Sequence, residues 1–229
     1  MNILAFDTAT NACSVALKIG DRIFSRHVIA PQQQAKLILP MIQDLLCEAK
    51  VEVTDLNAIA LGCGPGSFMG VRLAMATAQG LAFAAHIPLI LISTLQILAQ
   101  TAFEQTNAKK ILAGWDARMD EIYWGYYVVN EQGMTQEKIS DQLCAPEHID
   151  MALISDVGFT VAGNAWAVYE KKIPAQLLSR TTEKQTTIYP EALSMLTIAV
   201  SKYLQNEIVS PINAEPHYVR HHVVHTTSK

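Results

Sequence analysis

Apolar and polar positions along this chain change their period several times, and each change predicts an element. "NILAFDT" is a short apolar run ending in the carboxylate of Asp7. "ACSVALKIGDRIFSRHV" carries two apolar runs broken at Gly20-Asp21, the pattern of a hairpin. In "PQQQAKLILPMIQDLLCEAK" the period lengthens. Leu37, Ile38, Met41, Ile42, Leu45, Leu46 and Ala49 fall on one stripe of a helix spanning Gln32–Lys50. Pro40 interrupts the stripe and predicts a kink or a late start. "LNAIALG" returns to a buried strand. Ser67 is placed to cap a helix reaching about His86, "PLILIS" is a strand opened by Pro88, and Ser93 or Thr94 caps the helix "STLQILAQTAFEQ".

The first hundred residues therefore predict β-β-β-α-β-α-β-α, and the pattern then restarts. "KILAGWDARMDEIYWGYYVVNEQG" echoes "NILAFDTATNACSVALKIGD": Ile-Leu-Ala, an Asp, a turn, then a long strand closed by a Gly turn. A connector over 134–160, a short strand "FTVAG", a small helix from about Trp166 to Lys172 and a polar stretch "SRTTEKQTT" follow. An amphipathic helix over about Pro190–Gln205 precedes an irregular tail. Alternating strands and helices indicate an α/β fold. Two β-β-β-α units in tandem resemble a duplicated ribonuclease-H-like fold, as in the actin-like ATPases, with mixed sheets flanked by helices. The expected division is 1–100 for the first domain and 101–229 for a degenerate second one.

The bulk numbers narrow the function more than the fold. The chain has 229 residues, half of them hydrophobic, enough for one large core or two modest ones. Its net charge is −4, and the densest basic spots are the pairs Lys109–Lys110 and Lys171–Lys172. Tight nucleic-acid binding needs several clustered cations, so the chain alone is a poor candidate for tight RNA or DNA binding. Four cysteines at 13, 47, 63 and 144 include no C-x-x-C pair, which fits reduced cytosolic thiols. No basic segment precedes the first apolar run, and Pro88 divides the long uncharged stretch 73–97, so neither a signal peptide nor a membrane span is expected.

Several residues invite catalytic or binding roles. In ribonuclease-H-like folds the first strand delivers a carboxylate to a metal and the next turn holds phosphate. Asp7 and Thr8 occupy that place, and Asp116 is the counterpart in the second copy. A Mg²⁺ site needs several hard oxygen ligands, and the following helix offers Asp44 and Glu48 at its far end. The simpler role for Asp7 is to cap a turn. The loop "GCGPGSFMGVR", with Gly64, Gly66 and Ser67, resembles a phosphate cradle but lacks the lysine of a P-loop. Free amides at the helix start could still hold an anion. His217, His221 and His225 have i, i+4, i+8 spacing, yet Pro216 and the valines disfavour a helix there, so a solvated tail is expected rather than a metal site. Ser14 and Ser67 lack a G-x-S-x-G elbow, which leaves them as caps.

The helix Ser67–Ala85 is the chain's strongest anomaly. Arg72 is its one charged residue, and small residues line one side. A helix apolar all round is buried all round. A domain this small cannot wrap one fully, so part of that surface is expected to meet another protein.

The stretches "MNILAFDTATNACSVAL", "LPMIQDLL", "GPGSFMGVRLAMATAQGLA", "IPLILISTL", "DARMDEIYW" and "AEPHYVR" together resemble the bacterial TsaB family, also called YeaZ. The resemblance implies a cytoplasmic, non-catalytic scaffold subunit for making N6-threonylcarbamoyladenosine beside the anticodon of tRNAs that read codons beginning with A. It implies a TsaD-like catalytic partner that carries the metal, a TsaE-like ATPase, a homodimer when alone, and tRNA contact only through the complex. It implies no cofactor or metal held by this chain, with room for a nucleotide at the interface shared with the partner. The partner contacts carried over are Leu37, Ile38, Met41, Phe68, Arg72, Met75, Ala76, Gln79 and Phe83. Asp7, Thr8, Gly64, Gly66 and Ser67 are carried over as a vestigial nucleotide site. TsaD-like paralogues have a metal-binding H-x-x-x-H in the first helix, where this chain reads "PQQQAKLIL". Many relatives read "GRGPGSFTG", and Cys63 and Met69 replace the Arg and the Thr here, which removes a cation and adds apolar surface. The rival expectations are an actin-like ATPase or phosphotransferase using Asp7, and a peptidase acting on the partner through Ser67 or Cys63.

Overall fold

The computed structural model describes residues 1–219. Its first strand, β1 (Asn2–Asp7), is buried along nearly its whole length, so both faces of the sheet around it must be covered. β2 (Ala12–Ile19) pairs antiparallel with β1, and β3 (Arg22–Ile29) with β2 through the turn at Gly20. The helix α1 (Gln34–Ala49) follows, and Pro40 lies inside it without splitting it. β4 (Ala58–Gly62), α2 (Phe68–Ala85), β5 (Leu89–Ile92) and α3 (Thr94–Thr106) complete the first unit. Ser93 caps α3 by accepting from the amides of Leu95 and Gln96. The sheet order is β3-β2-β1-β4-β5, with β4 and β5 parallel to β1.

The second unit repeats this plan. β6 (Lys110–Arg118), β7 (Glu121–Val129) and β8 (Thr135–Cys144) form an antiparallel meander. β9 (Phe159–Ala162) adds parallel to β6, α4 (Ala165–Val168) and α5 (Ala175–Arg180) follow, and β10 (Thr181–Gln185) adds parallel to β9. The order β10-β9-β6-β7-β8 is that of the first sheet read from its other end. The protein is thus two tandem ribonuclease-H-like units with the actin-like plan. Two expectations are corrected. The connector over 134–160 begins with a ten-residue strand, β8, and the polar stretch after Ser179 contains β10. Both are edge strands, whose largely exposed polar side chains hide the alternation that marks a half-buried strand.

The closing helices change places. α3 packs Leu95, Leu98, Ala99 and Ala102 against Ile111, Ala113 and Tyr127 of the second sheet. The last helix, α6 (Ala192–Leu204), returns to the first sheet, with Met195, Ile198 and Ala199 on Ile3, Ala5, Ala60 and Ile90. α1 and α2 cover the opposite face of that sheet through Leu45, Ala74 and Ala78. Residue 100 lies inside α3.

Candidate functional site

The glycine loop between β4 and α2 packs backbone on backbone against the turn that follows β1. A β-carbon at Gly66 would overlap the carbonyl of Ala9, and one at Gly70 the carbonyl of Thr8. The Ser67 amide donates to Ala9 O at 2.7 Å, and the Gly70 amide to Ser67 Oγ at 3.3 Å. Thr8 Oγ1 donates to Gly70 O at 2.7 Å. Gly64 has φ +103°, a region that favours glycine, and lies under the His217 carbonyl. The glycines therefore let two loops touch and commit the amides of Ser67 and Gly70.

Asp7 is enclosed in the same junction. Its carboxylate accepts from the Ala9 amide at 2.9 Å and from Thr94 Oγ1 at 3.1 Å. It lies so close to Gly62 that a β-carbon there would overlap it. Burial pushes its pKa up to about 6, against the lowering effect of the two hydrogen bonds. Asp7, Thr8, Gly64, Gly66 and Ser67 do come together, but largely to hold one another. Asp116 caps its own turn by accepting from the Arg118 amide and the Tyr169 hydroxyl, both at 2.8 Å. Among the described residues no group of three or more His, Cys, Asp or Glu could hold a metal ion. His221 and His225 lie outside the described residues.

The helix pair α1–α2 divides the predicted contact residues. Phe68 is 55 % exposed and Phe83 62 %; Ala76 is also exposed, beside Met69 at 72 % and the bare backbone of Gly80. Ile38, Met41 and Met75 are corrections: they lie in the core over the first sheet, at 1 %, 7 % and 4 % exposure. The reason is helical phase. Met75 shares the inner side of α2 with Val71, Ala78 and Ala82, and Ile38 and Met41 share that of α1 with Ile42 and Leu45. Leu37 is half-buried, whereas Leu39, absent from the predicted set, is exposed. Gln79 is turned inward on the protein, donating to Pro211 O at 2.9 Å and Ala214 O at 3.1 Å.

A cleft of about 680 Å³ opens between the units, lined by Ser67, Phe68 and Arg72 on one side and Trp115, Asn164 and Tyr218 among others. Beneath its rim Asp141 is buried and accepts from Ser93 Oγ at 2.6 Å and from the Tyr127 hydroxyl, with His217 Nε2 at 3.5 Å. Burial raises the pKa of Asp141, while Ser93, Tyr127 and His217 work against that rise.

A family profile described as "TsaD: tRNA N6-adenosine threonylcarbamoyltransferase" matches residues 27–226. The chain is 39% identical to the tRNA threonylcarbamoyladenosine biosynthesis protein TsaB of Escherichia coli over 97% of its length and 96% of that protein's. It is 39% identical to the protein of the same name from Haemophilus influenzae over 97% of this chain and 95% of that one. The chain belongs to the TsaB family. The solved structure of YeaZ from Pseudomonas aeruginosa superposes with a TM-score of 0.88 at 38% identity, covering 95% of this chain and 99% of that one.

Within this TsaB-family chain, Met69 stands fully outward at the start of α2, where it adds to the bare apolar face, and Cys63 is buried against the Ile92 carbonyl. Burial pushes the Cys63 thiol up to about 12, so it is not a poised nucleophile. Ser67 is the N-cap of α2. Sequence reasoning missed Asp141, Tyr218 and the segment 209–219. The visible signals were weak: an acidic residue in a supposed connector, and prolines at 211 and 216 that mark an extended, docked tail.

Proposed function

We propose that this protein is a non-catalytic scaffold subunit in the formation of threonylcarbamoyladenosine in tRNA. It docks through α1 and α2 onto a TsaD-like catalytic subunit, which it activates together with a TsaE-like ATPase. In this reading the chain is cytoplasmic, pairs with itself when alone, and meets tRNA only within the complex. A nucleotide, where present, sits at the interface with the partner rather than in the Asp7 loop.

The observation that carries the reading is the outer face of α2. Phe68, Met69, Ala76, Gly80, Phe83 and Ala84 are all exposed, on a helix whose opposite side is anchored in the core. Surface of this kind is stable in water only at a cost of roughly 25 cal/mol per Å², which a partner recovers. By length and hydropathy α2 also passes for a membrane span, but its inner side is part of the first unit's core, as in the core helix of a soluble protein. The enclosure of Asp7 supports a scaffold over an ATPase, because the carboxylate that would orient a metal is consumed by the turn and by Thr94.

The test is reconstitution. A TsaD-family protein, a TsaE-family ATPase and the threonylcarbamoyl donor are incubated with tRNA, with and without this chain. Modification that needs the chain, and is lost with Phe83→Glu, is the expected result. Modification at the same rate without it overturns the reading.

A further inference from the structure

The segment after α6 does not simply trail away. Val209 and Leu89 exchange backbone hydrogen bonds at 2.8 and 2.9 Å, which ties the segment to the edge of the first sheet at β5. The carbonyls of Pro211 and Ala214 then accept from Gln79 on α2, and Ala214 is buried in the core over the first sheet. Further on, the His217 amide donates to Cys63 O at 2.8 Å. Tyr218 reaches Arg72, one end of whose side chain lies 5.2 Å from the Tyr218 ring centre and 3.2 Å from that of Phe68. The chain therefore runs antiparallel to α2, from Gln79 back to Arg72, along one flank of its bare face.

Two features of this strap point outward. Ile212 is 77 % exposed, and Tyr218 is 43 % exposed. A side chain as apolar as Ile212, fixed on a turn between two hydrogen-bonded carbonyls, is held in place rather than free to turn inward. Arg72 adds a charge. Its guanidinium lies between two aromatic rings, and among the described residues it has no carboxylate partner. A stacked guanidinium still offers its edge donors to a carboxylate.

Resting on the docking role proposed above, we infer that the strap 209–219 is the second wall of the docking surface. A partner helix lies along α2 with its apolar side against Phe83 and Ala76, its flank against Ile212 and Tyr218, and a carboxylate on Arg72. Gln79 and His217 are positioning residues. Gln79 buckles the strap to α2, and His217 seats its far end over Asp141. Gln79 was expected to touch the partner, and in this arrangement it acts through the strap.

The experiment measures the affinity of the full-length chain for the TsaD-family protein of the same organism by titration calorimetry, with melting curves for every variant. Phe83→Glu reports on docking itself and should abolish binding. Ile212→Asp should weaken binding at least tenfold with an unchanged melting temperature, because the side chain is mostly in water. Arg72→Glu should weaken it by more than Arg72→Lys. Gln79→Ala should weaken it less than Ile212→Asp and should raise amide exchange at residues 212–214. Binding lost with Phe83→Glu but within twofold for Ile212→Asp, Ile212→Ser and Arg72→Glu overturns the second wall and leaves docking standing. Binding kept with Phe83→Glu overturns docking, and the wall falls with it.

Discussion

The two units share a sheet order and differ in the elements after their third strand. In the first, β3 leads into α1, 16 residues long, and α2 of 18 residues joins β4 to β5. In the second, β8 leads into a 3-10 turn at Pro146–His148 and loops, and the β9–β10 connection holds only α4 and α5, of 4 and 6 residues. Short helices can be covered from one side by a few large rings. Trp166, Tyr169 and Trp124 do this in the second unit. Long helices need more cover than the first unit possesses, and their outer sides stay bare. The fold is therefore duplicated but the long bare helix face is not, and the docking proposed above would fall to the first unit.

That contrast can be attacked directly, and the largest effect should be on association. Phe83→Glu on α2 should weaken binding of the TsaD-family protein by at least roughly a thousandfold, since a charge would enter the centre of a desolvated contact. Val168→Glu at the end of α4, also exposed, should leave binding within twofold in the same calorimetric titration. Next come the two glycines at the ends of the parallel strands β4 and β9. Gly62→Ala drives a methyl group into the Asp7 carboxylate and should cost about 3 kcal/mol in a urea unfolding experiment. Gly163→Ala, at φ +101° and against the Gly114 carbonyl, should cost a similar amount. Equal losses would show that both units still depend on the same tight junction.

A smaller effect concerns pH. Asp7 is raised from 3.8 to about 6 in the folded protein, so between those values the native state holds a proton that the unfolded chain has released. Stability from this group is therefore present below about pH 4 and is lost as pH rises towards 6, by about 3 kcal/mol at most. Asp7→Asn should remove that slope from the melting temperature between pH 4 and 6; an unchanged slope would mean the carboxylate is solvated. Smallest of all, Phe83→Ala should alter unfolding free energy by less than about 0.5 kcal/mol, whereas Ile38→Ala should cost about 3 kcal/mol. The pair separates outer face from core on the same helix layer.

Much of this was readable from residues alone. The restart of the pattern at Lys110 announced the duplication, and Ser67 and Ser93 marked two helix starts, because both signals are local. The phase of α2 was not readable. When almost every position is apolar, periodicity cannot say that Met75 points in and Ala76 out, and only packing on β4 decides. On α1 the stripe was plain, and Ile38 and Met41 lie on it; they were misassigned because resemblance gave a contact without its orientation. β8 and β10 escaped because, unlike the apolar edge strand β5, they are mostly polar and are held by backbone pairing that leaves no apolar trace. The strap escaped for a related reason. Gln79 and Pro211 are 132 residues apart, and a side-chain amide seeking a backbone carbonyl has no sequence signature.

The exchange of closing helices bears on how the chain is made. β1 emerges at the start of synthesis, but the helix that shields one of its faces ends at residue 204. At about 5–20 residues per second, the ribosome leaves that face without its lid for roughly 10–40 s. Half-made chains should thus be clients of nascent-chain chaperones, and neither half synthesised on its own should reach a native state.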